Sequence, residues 1–268
     1  MPSNFLFSVK EGQLYHLGAP LHPDLLEQAN RILAAHVIPE KTRRAYLESL
    51  LFCIASQRTS FERPLAFIRL LKESPLEGIA DAEHLEAKSR EAKLVNSDRF
   101  REALEFASAY DGGIERLVEN FLLRPIETRR ELNRVRYLAP KTASFWYLCL
   151  GGKRLMTLDV HNFRQIAGLG IEVKETHYNG KLRSKGKTKG RTVTTNPSIR
   201  GYERIEHETL ELLENCDLLK DEEGSLNGAL ITALFWLSGA NLTRGNDPRQ
   251  PVLFKGCNEL KFTSPYSE

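Results

Sequence analysis

The chain has 268 residues, hydrophobic side chains at 41% of positions and a formal net charge of +3, enough for one large domain or two modest ones with a sizeable core. So small a net charge gives no argument for nucleic-acid binding from the total, and the distribution of charge has to carry any such argument. Four cysteines, Cys53, Cys149, Cys216 and Cys257, lie far apart with no CxxC pair, which excludes a local four-cysteine iron–sulfur or zinc site of the usual spacing. No run approaches the roughly 20 apolar residues of a membrane span, and Phe5 to Phe7 open no long apolar segment of the kind an export signal needs. The expectation is a soluble, intracellular, reduced protein with no metal, no cofactor and no membrane partner, cytoplasmic if prokaryotic.

Helical signals dominate in chain order. Leu25, Leu26, Ala29, Ile32 and Leu33 make an apolar stripe over Pro23 to Ala35, and Ala45, Leu47, Leu50, Leu51 and Ile54 repeat it over Glu40 to Gln57. Further helices are predicted at Arg63 to Lys72, Asp98 to Ala109, Gly113 to Phe121 and Glu127 to Val135, punctuated by Pro75, Asp111-Gly112-Gly113 and Pro125. Strand-like alternation is scarce. After Gly170 the pattern changes to a polar loop, Lys174 to Arg200. Periodicity resumes at Tyr202, Ile205, Leu212, Leu213, Cys216 and Leu219, on a segment whose acids Glu203, Glu206, Glu208, Glu211 and Glu214 are expected to face solvent. A last, largely buried helix is predicted at Leu226 to Leu237, and an irregular tail from Thr243. No repeat of 20 to 50 residues is visible, so a solenoid is not expected.

One stretch carries chemistry: RVRYLAPKTASFWYLCLGGKRLMTLDVHNFRQIA, from Arg134 to Ala167. Tyr137 to Thr142 reads as a tight turn between two helices, with Pro140 at the start of the second, where its missing N–H is harmless. Lys141 then falls in the first turn of that helix. The positive end of the peptide dipoles there disfavours an ammonium and favours a nucleophilic amine. Asp159, after a second loop from Gly151 to Thr157, would open another helix through His161, Phe163 and Ile166. As a residue type it also suits an ordinary N-cap.

These residues resemble the helix-hairpin-helix DNA glycosylases, and among them the 8-oxoguanine glycosylase/AP lyases with a hairpin lysine and a downstream aspartate. The likeness rests on Lys141-Thr-Ala, on the spacing to Asp159-Val-His161, and on LLFCIASQRT at Leu50 to Thr59, which is similar to the helix that faces DNA in that family. It covers roughly Ala45 to Ala167. One departure stands out: the hairpin of most members carries Gly-x-Gly, and here those places read Tyr137 and Ala139.

The resemblance implies an all-α architecture with two helical lobes, a helix-hairpin-helix motif and a cleft where Lys141 and Asp159 meet. One lobe would span residues 41–168; the other would combine residues 1–40 with 169–268 and carry the basic loop at 174–200. It implies a monomer acting on duplex DNA that contains a modified base. Lys141 would be the nucleophile and Asp159 the carboxylate that steadies positive charge on the sugar. His161 and Arg164 would contact phosphate near the hairpin, although a histidine there is also an ordinary surface residue. Gln57 and Arg58 would wedge into the stack vacated by the target base. Trp146, Phe235 and Trp236 are candidates for the base pocket, with an ordinary core role as the alternative. Excision of 8-oxoguanine is the favoured activity. Excision of another modified base, such as a hypermodified pyrimidine of phage DNA in anti-phage defence, is the enzymatic alternative, and a non-catalytic DNA-binding module is the alternative of another class.

Lys181, Arg183, Lys185, Lys187, Lys189 and Arg191 place six basic residues in the eleven of KLRSKGKTKGR, with no acid. Such a cluster can neutralise phosphates and release counterions, or can simply solvate a loop. Replacing Lys181, Lys185, Lys187 and Lys189 by Ala is expected to weaken DNA binding across sequences and to flatten the dependence of affinity on salt. An unchanged salt slope in fluorescence anisotropy would remove the loop from the DNA interface.

Overall fold

A computed structural model describes residues 6–57, 62–79, 81–94, 97–173 and 197–243. Twelve α-helices and one small sheet account for nearly all of their regular structure. The chain falls into two compact units, divided after Ala34 and again after Leu155. The second division differs from the boundary after residue 168 expected from the sequence, because the helix that follows Asp159 packs with the first unit.

The first unit opens with a meander of β1 (Phe7–Lys10), β2 (Gln13–His16) and β3 (Ala19–Pro20), antiparallel in the order β1-β2-β3. The sequence shows little strand alternation here because no strand exceeds four residues. The turns decide it: Glu11 and Gly12 (φ 50° and 73°) and Leu17 and Gly18 (φ 54° and 80°) are two-residue loops with both residues left-handed, the geometry that matches strand twist in a tight hairpin. Next come α1 (Pro23–His36) and, past the second unit, α10 (Val160–Gly168), α11 (Ile199–Leu213) and α12 (Gly228–Thr243). Helix α10 packs on α12 and β1. Its Phe163 and Ile166 join Leu6, Phe7, Ala29, Tyr202, Ile205, Leu230 and Phe235 in one buried cluster. Glu206 departs from the solvent-facing expectation for its helix: it is buried, and its carboxylate accepts the Met156 N–H at 2.6 Å.

The second unit contains α2 (Arg43–Ala55), α3 (Glu62–Lys72), α4 (Leu76–Ile79), α5 (Ala82–Glu91), α6 (Arg101–Ala109), α7 (Gly113–Leu123), α8 (Pro125–Leu132) and α9 (Pro140–Cys149). Short α4 and α5 do not emerge from the apolar pattern, although Asp81 caps α5 by accepting from the Glu83 and His84 N–H groups. Helix α2 is buried on every side from Leu47 to Ala55 and packs against α3, α7 and α9, as expected of a helix at the centre of a core. Its one buried acid, Glu48, lies 2.8 Å from Arg44 Nε. Burial pushes that carboxyl up, and Arg44 partly opposes the shift. Arg44 also donates to the Leu71 and Lys72 carbonyls in the last turn of α3 and to the Ser74 carbonyl just past it, satisfying acceptors that a helix terminus leaves open.

Three cysteines in the described residues are free thiols. Cys53 on α2 and Cys149 on α9 face each other with sulfurs 3.7 Å apart, and burial pushes the Cys53 thiol up. No described helix is long and apolar enough to cross a membrane.

After α9 the chain turns at Gly151 and Gly152 beneath the Tyr147 ring, where a Cβ on Gly152 would lie 2.3 Å from Tyr147 carbons. Tyr147 is itself buried. Gly152→Ala is therefore expected to lower unfolding stability by about 1–3 kcal/mol through overpacking, read as a lower urea midpoint with an unchanged slope.

Candidate active site: a hairpin lysine and a capping aspartate

Helices α8 and α9 pack together and enclose a short hairpin. Within it the Leu138 N–H donates to the Val135 carbonyl at 3.1 Å, and Tyr137, the third residue of that turn, has φ 69°. That is a left-handed position at which a type II turn calls for glycine, and a side chain there costs roughly 1–2 kcal/mol. The turn is held from outside. The Gln57 carboxamide, just past α2, donates to the Tyr137 carbonyl and to Thr142 Oγ1. The guanidinium groups of Arg136 and Arg99 lie 4.8 and 5.9 Å from the Tyr137 ring centre.

The hairpin delivers the chain into α9 with Pro140 at its first position and no side-chain cap from Ala139. Lys141 follows in the first turn, exposed, and forms no ion pair with any described residue. Thr142, next to it, is buried. The backbone beside the lysine is thus anchored while its amine projects into solvent, and the uncapped helix start has peptide N–H groups able to meet an anion.

In the other unit Asp159 caps α10. Its Oδ1 accepts the His161 N–H at 2.8 Å and the Asn162 N–H at 3.1 Å, while the Asn162 side chain accepts the Asp159 N–H at 3.0 Å. This reciprocal box consumes one carboxylate oxygen. Oδ2 takes no hydrogen bond from a described residue. Three backbone anchors hold the segment leading to it. Met156 N–H donates to Glu206, Thr157 N–H to Thr232 Oγ1 at 2.9 Å, and Leu158 N–H to the Tyr202 hydroxyl at 2.7 Å. Tyr202 in turn donates to the Met156 carbonyl at 2.8 Å. An aspartate fixed at both its backbone and its carboxylate is suited to facing developing positive charge, since a rigid carboxylate needs no reorganisation as the charge appears.

Among solved structures the chain is similar to the 8-oxoguanine DNA glycosylase of Methanocaldococcus jannaschii, at 19% identity over 83% of this chain and 88% of that one, with a TM-score of 0.53. It is also similar to that organism's 8-oxoguanine glycosylase/lyase in complex with a 15-mer DNA containing 8-oxoguanine, at 19% identity over 83% and 90%, with a TM-score of 0.51. The chain shares the fold of these two solved proteins. A third likeness, to the 8-oxoguanine DNA glycosylase of Thermotoga maritima, has 20% identity over 83% and 88% of the two chains and a TM-score of 0.48. No protein-family model matches the chain, and no curated protein does.

The remaining sequence-predicted residues fall unevenly. His161 is half-buried and Arg164 exposed on α10. Helix α12 approaches His161 closely at Gly239, where an added Cβ would lie 2.9 Å from His161 Cβ. Gln57, expected as a wedge, is engaged with the hairpin. Trp146 is fully buried with its indole N–H on Ser49 Oγ at 2.9 Å, and its neighbour in space is Phe121 at 5.6 Å. It is a core residue and offers no face to a base. Phe235 is likewise fully buried, 4.8 Å from the Phe7 ring. Trp236, beside it, is partly exposed, which leaves it as the member of the three with a surface. Arg58, Lys181, Arg183, Lys185, Lys187 and Lys189 lie outside the described residues, as does most of the 174–200 loop. Sequence reasoning did not find Tyr202, Glu206 and Thr232 as the anchors of Asp159. Asn162, three residues after Asp159, was the available signal for the cap.

Tyr202→Phe keeps the ring but strips a donor and an acceptor from two buried backbone groups, each costing about 1–3 kcal/mol when left unpaired. The expected result is a loss of a few kcal/mol in urea unfolding, read as a lower midpoint with an unchanged slope.

Proposed function

We propose that this chain is a DNA N-glycosylase with AP lyase activity that removes a modified base, 8-oxoguanine being the favoured substrate, through a lysine Schiff base. The observation that carries the reading is Lys141, an exposed amine in the first turn of the helix opened by the hairpin. The fold shared with DNA glycosylases and the rigid Asp159 support it.

In this reading the target nucleotide first leaves the stack, at a cost of a few kcal/mol. As the C1′–N bond breaks, the sugar gathers positive charge, as in glycoside cleavage generally. Asp159 steadies that charge through the oxygen its cap leaves open. The Lys141 amine, having lost its proton, supplies the electron pair for a new N–C1′ bond, and the base departs with the electrons of the old one and takes up a proton. The resulting aminal opens to an iminium as the ring oxygen leaves C1′ and is protonated. The iminium acidifies the 2′ hydrogen, so that loss of that proton expels the 3′ phosphate and nicks the strand. Backbone N–H groups at the start of α9 can receive a phosphate, and an exposed Arg164 can add a charged contact.

Borohydride reduction of the enzyme mixed with duplexes carrying 8-oxoguanine, uracil, an abasic site or a glucosylated hydroxymethylcytosine tests the reading. A covalent adduct is expected on the 8-oxoguanine and abasic duplexes and is expected to vanish in Lys141→Gln. Asp159→Asn is expected to slow base release by about two to four orders of magnitude, within the range of a lost electrostatic or acid–base group, with DNA affinity retained. No adduct on any duplex would overturn the lysine mechanism, and an adduct confined to the glucosylated duplex would move the substrate to a hypermodified pyrimidine.

A further inference from the structure

The wedge assigned to Gln57 from sequence does not account for what its side chain does. Gln57 follows the last turn of α2, half-buried, and its carboxamide nitrogen spends its two hydrogens on the Tyr137 carbonyl and on Thr142 Oγ1. Those acceptors flank the turn at two points: one is the left-handed residue of the hairpin, and the other follows Lys141. Arg99 fixes the other end of the arrangement. It is buried, and it donates to the Ile54 and Gln57 carbonyls at 3.4 Å each while its guanidinium lies near the Tyr137 ring.

A residue with a Cβ does not remain at positive φ without compensation, because the side chain crowds the following carbonyl. Glycine has no such preference. A donor that reaches the carbonyl of the strained residue lowers the energy of this one turn conformation against its alternatives. The same donor also ties the first turn of α9 to α2. From these observations we propose that Gln57 is a positioning residue. Its carboxamide holds Tyr137 left-handed and sets the backbone that carries Lys141, doing for the hairpin what a glycine at Tyr137 would do without help. The consequence for catalysis rests on the function proposed above; the clamp on the turn does not.

The test is a cycle between Gln57→Ala and Tyr137→Gly, with Gln57→Glu as a third variant that keeps the shape and loses the donor. Hydrogen exchange at the Leu138 amide reports the turn, and anisotropy on an abasic-analogue duplex reports binding. Loss of the clamp is expected to speed Leu138 exchange about tenfold, equivalent to one or two net hydrogen bonds. Gln57→Glu is expected to behave as Gln57→Ala does. In the Tyr137→Gly background the same Gln57 substitutions are expected to change exchange by less than about twofold, since glycine needs no holding. Equal effects in both backgrounds, or unchanged exchange in Gln57→Ala and Gln57→Glu, would overturn the proposal. Weakened binding that appears equally in both backgrounds, with Leu138 exchange unmoved, would return Gln57 to the DNA wedge. Should the protein bind no duplex at all while exchange follows the expected pattern, the proposed function fails and the clamp stands.

Discussion

Every α-helix leaves N–H groups unmatched at its start and carbonyls unmatched at its end, and the residues of interest in this chain sit where those groups must be dealt with. Asp159 closes the start of α10 and in doing so becomes rigid. Lys141 rides on a start that is left open, with Pro140 removing one orphan donor and Ala139 adding no cap. Gln57 and Arg99 meet at the end of α2, where the arginine covers the carbonyls and the glutamine reaches across to the hairpin. Arg44 does comparable work at the end of α3. Satisfying helix ends with side chains instead of water is what converts a bundle of helices into fixed positions for an amine and a carboxylate.

The two units reach that result on separate cores. Around α2 the packing is mostly apolar, and polar groups that enter it include the Trp146 indole N–H on Ser49 and Glu48 on Arg44. Around α10 and α12 the packing is tight enough that Gly239 abuts the His161 backbone and side chain. Buried backbone there is satisfied by Tyr202, Glu206 and Thr232 rather than by a ladder. A buried polar group with its partner removed costs more than the pair contributes net, so these contacts specify one geometry for the segment before Asp159.

Much of the helical framework could be read from the sequence, because its signals are local. Pro140 before Lys141, Asp159 three residues before Asn162, and Gly112 before α7 each act on their own neighbours. The meander escaped because strands of four, four and two residues give alternation no length in which to show. Its Glu11-Gly12 and Leu17-Gly18 turns were the better clue. Trp146 and Phe235 looked like candidates for a base because aromaticity is visible and burial is not. The role of Gln57 was illegible for a different reason: its partner Tyr137 is 80 positions away. The same holds for Glu206, which lies 50 positions from Met156. Contacts at that separation are made by the fold, and no spacing rule announces them.

The anchoring of Asp159 by α11 and α12 also sets an order of assembly. Domains generally fold as units while the chain is being synthesised. The hairpin and its lysine belong to a unit whose helices, α2 to α9, all precede Leu155. The meander and α1, though made first, share a core with helices that arrive only with residues 199–243. The segment that carries the amine is thus made before Tyr202, Glu206 and Thr232, and a nascent chain stopped short of α11 would lack all three anchors of the segment before Asp159, while the cap itself, made within α10, needs none of them.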